Sequence, residues 1–194
     1  KGAFHDENYD TGNIPLPDLK DALARSGIHF DLIGLDTCLM GTIEVADALS
    51  GTTRYLLASE ETEPSRGWNY SMIAHELVNN PSIDPKELGI HIIDGYIRYQ
   101  VPNSPATLSL IDIDAIPAVI SSLDDFSRSL QTVYKDPEGK RIIEEILTNS
   151  GEFGLQMYMS LKTDERIFIS YTLDIISFAK NIGNALPAMH PASD

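Results

Sequence analysis

One cysteine occurs in the chain, Cys38, and it closes the run Asp31-Leu32-Ile33-Gly34-Leu35-Asp36-Thr37-Cys38. The apolar part of that run reads as a short buried strand, and Thr42 to Leu49 reads as a helix. Cys38 therefore falls on a turn leaving a strand, where α/β folds commonly present reactive groups. A thiol there, followed by the small Gly41 and a helix, is partly exposed, and a nearby helix N-terminus favours the thiolate. Such a nucleophile needs a base, normally histidine. His75 and His91 fall inside amphipathic helices, His29 opens the strand and so lies at its wrong end, and His190 stands in a proline-rich tail. His5, in the N-terminal loop, is the one conceivable internal partner. The nucleophile is readable; its base is missing. A buried, inert cysteine is the competing reading.

These residues belong to a chain of 194 residues with 42% hydrophobic content, enough for one good-sized domain. No apolar stretch approaches the roughly 20 residues of a membrane span. Lys1-Gly2-Ala3-Phe4-His5 has no signal-peptide pattern, which leaves a cytosolic chain or a leader outside it. A single cysteine excludes an internal disulfide framework and a multi-cysteine metal site. The net charge of -15 argues against nucleic acid or anionic membrane as partner and favours cationic ligands. A well-solvated acidic surface is the simpler reading of that charge.

The elements that must position Cys38 can be read in outline. A helix is predicted over Leu16–Ala24, with Pro17 in its first turn. Strands are predicted over residues 28–35, 55–59 and 107–112. Helices are predicted over Tyr70–Val78, from an Asp84 cap through Tyr99, after an Asp114 cap through Val133, over Glu138–Leu147 and over Tyr171–Ile182. The segment Phe153–Tyr158 is ambiguous between strand and loop. Strands alternating with helices indicate a largely parallel sheet. Three strands are few for a sheet covered on both faces, so part of it is expected to come from elsewhere.

The segments GLDTCLMGTIEVADAL, YLLASEETEPSRGWNY and ATLSLIDI together resemble the clostripain family of cysteine endopeptidases, over about Leu16 to Phe178. The resemblance implies an α/β fold of the caspase-like type, an α/β/α sandwich with a mostly parallel sheet. Residues 1–194 would then be one domain, the heavy-chain part of the peptidase, with helices from about 138 and with strands outside this chain completing the sheet. Cys38 would be the nucleophile. The family's catalytic histidine belongs to a His-Gly motif that this chain lacks, so it is expected on a light chain cut from the same precursor. The oxyanion would be held by the Cys38 N–H and one from the glycine beside that histidine.

Protein or peptide substrates with arginine or lysine before the cut follow from the same resemblance. Such a cation needs a carboxylate near the thiol. Asp36 points to the side of Cys38 if the strand stays extended, and is the expected pocket floor. Glu60 and Glu61 are its backups, and Ser59 with the loop to Trp68 and Tyr70 would line the cleft. Asp36 as a turn residue and Trp68 as core packing remain open. No cofactor is required; some members depend on calcium, for which residues 60–63 offer oxygen ligands without a calcium-loop spacing. The resemblance also implies a secreted or cell-surface bacterial protein. The alternative is a catalytically silent member that keeps the fold as a binding domain.

Overall fold

A computed structural model describes residues 2–5, 13–100, 106–150, 152–153, 156–159, 166–169 and 172–186. The chain divides into two compact units, Lys1–Pro117 and Ala118–Asp194. The first opens with an antiparallel pair, β1 (Gly2–His5) and β2 (Asn13–Pro15). β2 runs into α1 (Leu16–Arg25), where Pro17 occupies the first turn and its missing N–H removes no helical bond. β3 (Phe30–Leu35) then lies parallel to β4 (Thr53–Ala58), from Phe30 opposite Thr53 to Leu35 opposite Ala58. The crossover carries α2 (Ile43–Ala48), capped by Thr42, whose Oγ1 accepts from the Val45 N–H.

β5 (Ser109–Asp112) occupies the other edge of β4 and runs antiparallel to it. The reason is the number of passes. One helix joins β3 to β4 and returns the chain to its starting end. Two helices, α3 (Tyr70–Asn79) and α4 (Pro85–Tyr99), separate β4 from β5, so the chain arrives from the opposite end. The sheet is mixed, and at three strands, in the order β3-β4-β5, it is incomplete in this chain.

β4 is the central strand, and Tyr55, Leu56, Leu57 and Ala58 are all buried. α4 packs against β3, β4 and β5, placing Ile92 and Tyr96 in one cluster with Leu57, Trp68 and Leu108. Asp84 starts α4, its Oδ1 accepting from the N–H groups of Lys86 and Glu87. After β5 the cap is Asp112 rather than the expected Asp114. Its backbone is extended and its Oδ1 accepts from the Asp114 N–H, opening a 3-10 turn, Ile113–Ala115, ahead of α5 (Ile116–Val133).

The second unit contains α6 (Pro137–Asn149), two short antiparallel ladders and α7 (Ile175–Ala185). The described residues of the ambiguous segment are strand, residues 154 and 155 lying outside them: β6 (Glu152–Phe153) pairs with β9 (Thr172–Leu173), and β7 (Gln156–Met159) with β8 (Arg166–Ile169). The last helix therefore starts later than expected, at an Asp174 cap, because the residues before it are held in β9; Tyr171 lies outside the described residues. Ile143, Phe178 and Ile182 form this unit's core, with Phe126 edge-on to Phe178 at 6.0 Å. No described helix is long and apolar enough to cross a membrane.

Candidate active site

β3 ends at Leu35, and its exit turn is tied along the segment that leaves β4. The Leu39 N–H donates to the Glu61 carbonyl at 3.0 Å and the Gly41 N–H to the Ser59 carbonyl at 2.7 Å. Gly41 is required by closeness: a Cβ there would stand 2.9 Å from the Glu60 nitrogen and the Ser59 carbonyl carbon. Leu39 adopts the left-handed region, φ 61, which bends the turn so that Cys38 faces outward. The Cys38 thiol is exposed. Its sulfur receives the Glu63 backbone N–H at 3.2 Å, a donor that stabilises negative charge on sulfur. The amides of Thr37, Leu39 and Gly41 are bonded within the turn and its neighbour, whereas that of Cys38 meets no acceptor among the described residues.

Asp36, half-buried, stands beside this turn. Its Oδ2 accepts from the Trp68 N–H at 3.1 Å and from the Tyr70 hydroxyl at 2.9 Å. The Trp68 ring is buried over Gly34, where a Cβ would come within 2.7 Å of it. Its Nε1 donates to Glu63 Oε2 at 3.0 Å. Gly67, in the left-handed region at φ 64, lets the loop double back so closely that a Cβ would lie 2.8 Å from Asp36 Oδ2. The Glu63 carboxyl comes within hydrogen-bond reach of Asp36. Burial first, and then Asp36, pushes Glu63 up to about 8, against the pull of Trp68. Burial and the same two carboxyls push the Tyr70 phenol up to about 12.

Of the residues expected from sequence, Cys38, Asp36 and Trp68 converge, and Tyr70 joins them. Ser59 does not line a cleft: it is fully buried, donating to the Glu61 carbonyl, accepting the Glu61 N–H and meeting the Thr107 hydroxyl at 3.0 Å. Glu61 fixes the loop through its backbone, and its Oε2 accepts from the Thr62 N–H. Glu60 is half-buried beside Gly41. The residue missed is Glu63. Its signal was faint, an acidic residue five positions before the tryptophan whose indole holds it. Trp68 is core, and its indole also holds the Glu63 carboxyl.

Among the described residues no imidazole meets the sulfur. His75 contacts Asn79, His91 faces Glu76, and His29 lies just before β3, at the end remote from Cys38. β1 ends at His5, whose side chain lies outside the described residues, as does His190. The acidic loop does not gather into a metal cage: no group of three or more His, Cys, Asp or Glu side chains among the described residues could hold an ion.

The site thus sets an exposed thiol at the exit of a parallel strand pair, beside a carboxyl pair. The Clostripain family model matches residues 1–186, and the chain belongs to that family of cysteine peptidases. A clostripain from Bacteroides thetaiotaomicron, solved with the peptide inhibitor BTN-VLTK-AOMK, superposes with a TM-score of 0.60 at 15% identity, covering 96% of this chain and 74% of its own. A Bacteroides fragilis cysteine protease gives 0.56 at 16% identity, covering 94% and 69%. An inactive zymogen C11 protease from Parabacteroides distasonis gives 0.57 at 18% identity, covering 97% and 50%. These likenesses establish the caspase-like fold. No curated protein sequence matches the chain.

Proposed function

We propose that the chain carries the nucleophile and the specificity socket of an endopeptidase that cleaves after arginine or lysine. The observation that carries this reading is Cys38 itself: exposed, bonded by the Glu63 N–H, and two residues from the half-buried Asp36 carboxyl. The Cys38 thiolate attacks the scissile carbonyl carbon, the C–N bond breaks, and a histidine gives its proton to the leaving amine. Water then hydrolyses the thioester and frees the enzyme. The Cys38 N–H, without an acceptor among the described residues, is the oxyanion donor on this chain. The histidine comes from an upstream light chain of the same precursor. The VLTK inhibitor of the Bacteroides thetaiotaomicron relative ends in lysine, which supports a cationic preference. A secreted C11 protease among the structural neighbours supports an extracellular location.

The test uses the full protein with its upstream segment. Arginyl and lysyl reporter peptides are expected to be cleaved, iodoacetamide to label Cys38 rapidly near neutral pH, and Cys38→Ala to abolish both. Rapid labelling with no cleavage of any reporter would instead identify a silent, binding member of the family. Slow labelling, as of a walled-off thiol, would sink the enzyme reading altogether.

A further inference from the structure

Trp68 donates from both of its nitrogens, and the two bonds reach the two segments that meet at the thiol. Its backbone N–H reaches Asp36 Oδ2 at 3.1 Å, two residues before Cys38. Its indole Nε1 reaches Glu63 Oε2 at 3.0 Å. Glu63 is the residue whose main chain meets the sulfur: its nitrogen stands 3.2 Å from Cys38 Sγ and its carbonyl oxygen 3.9 Å. A thiol donates to that carbonyl, whereas a thiolate accepts from that N–H. The N–H is the nearer of the two, so the pair of contacts favours the ionised sulfur.

The indole is fixed from the core side. It is buried with Leu57, Ile92, Tyr96 and Leu108, and its ring lies over Gly34, where a Cβ would come within 2.7 Å of it. Glu63 is fixed from the loop side, because Pro64 follows it and restricts its backbone to extended conformations. With so little backbone freedom, the place of the Glu63 carboxyl and the direction of the Glu63 N–H are set together. We propose that Trp68 is a positioning residue for the nucleophile: its indole N–H, through the Glu63 side chain, holds the Glu63 backbone N–H on the Cys38 sulfur and so favours the thiolate. This inference rests on the reading of Cys38 as a nucleophile and concerns the sulfur's ionisation, not the recognition of a substrate side chain.

The test again uses the full protein and follows iodoacetamide labelling of Cys38 as a function of pH, with a reagent too small and uncharged to report on a cation site. Glu63→Gln keeps an oxygen that accepts from the indole; Glu63→Met is of similar length and lacks one. Both are neutral, so the ionisation of the native carboxyl does not enter the comparison. The midpoint of labelling for Glu63→Met is expected about 0.5–1 pH unit above that of Glu63→Gln, which slows labelling about 3- to 10-fold below the midpoint. Trp68→Phe, which removes the indole donor and keeps the backbone N–H, should raise the midpoint equally on the Glu63→Gln background. On the Glu63→Met background it should add nothing, since the same bond is already gone. The plateau rates above the midpoint should agree within about threefold, which certifies an accessible thiol in each variant. Equal midpoints for Glu63→Gln and Glu63→Met overturn the inference. Additive shifts overturn it too, since the tryptophan would then act through packing, and so does a loss of labelling at every pH. Cleavage of reporters is scored separately: a wild type that cleaves none overturns the peptidase reading, while the midpoints alone decide this one.

Discussion

At Glu63, burial and a neighbouring carboxyl push in the same direction, and the consequence can be measured in two ways. In the proposed socket a carboxyl helps to hold a substrate's cation only when ionised, and burial raises this one to about 8. The ratio of kcat/KM for a lysyl over a norleucyl reporter should therefore rise as pH rises through about 8, and Glu63→Gln should flatten it. Ionisation of the thiol affects both reporters alike and cancels in the ratio. Stability follows the opposite course. The folded-state value, about 8, lies above the ordinary 4.5, so the folded chain holds this proton more tightly than the unfolded one. That contribution is complete below about 4.5 and is lost as pH rises through about 8. Wild-type Tm should fall across this window relative to Glu63→Gln, read by calorimetry at a series of pH values; parallel curves would refute the raised ionisation. At this scale Cys38, Asp36 and Trp68 were legible because their spacing follows a strand exit. Glu63 was not, because Glu60, Glu61 and Glu63 are chemically alike in sequence, and only the indole's position selects one of them.

The exit turn of β3 and the loop from Ser59 to Trp68 act as one element, laced by backbone bonds on one side and by Asp36 on the other. Its two tight glycines make separable predictions. Gly41→Ala would press a methyl group on the backbone at Ser59 and Glu60, which no side-chain rotation relieves. It should destabilise the protein by about 1–3 kcal/mol in denaturant unfolding and slow the labelling of Cys38. Gly67→Ala adds left-handed strain of about 1–2 kcal/mol and a collision with Asp36. It should raise KM for cationic reporters while sparing the labelling rate; unaltered KM would show that Asp36 is not where the cation binds. Helices were largely readable, since Pro17 suits a first turn by its fixed backbone and Asp84 caps α4 through local bonds. The direction of β5 was not, because it depends on how many times the chain crosses before returning to β4.

For the molecule as a whole, a mixed sheet of three strands and a thiol without an imidazole among the described residues leave the same two requirements, more strands and a base. An upstream segment of the same precursor would meet both, and self-cleavage would make it a separate chain. The prediction is that the full gene carrying Cys38→Ala yields one uncut polypeptide by denaturing electrophoresis and intact mass, whereas the active protein yields two. A mutant cut at the same bond would assign the processing to another protease.

By itself the sequence determined the α/β class, the place of Cys38 at the end of β3, and the family, because strand periodicity, caps and motif spacing are properties of short stretches of chain. Tertiary structure alone decided which glutamate turns inward, that Ser59 and Tyr96 are buried, and that β5 runs antiparallel. Those outcomes depend on contacts between segments about 25 to 60 residues apart, and on burial, which alters a carboxyl's ionisation without changing the residue that bears it.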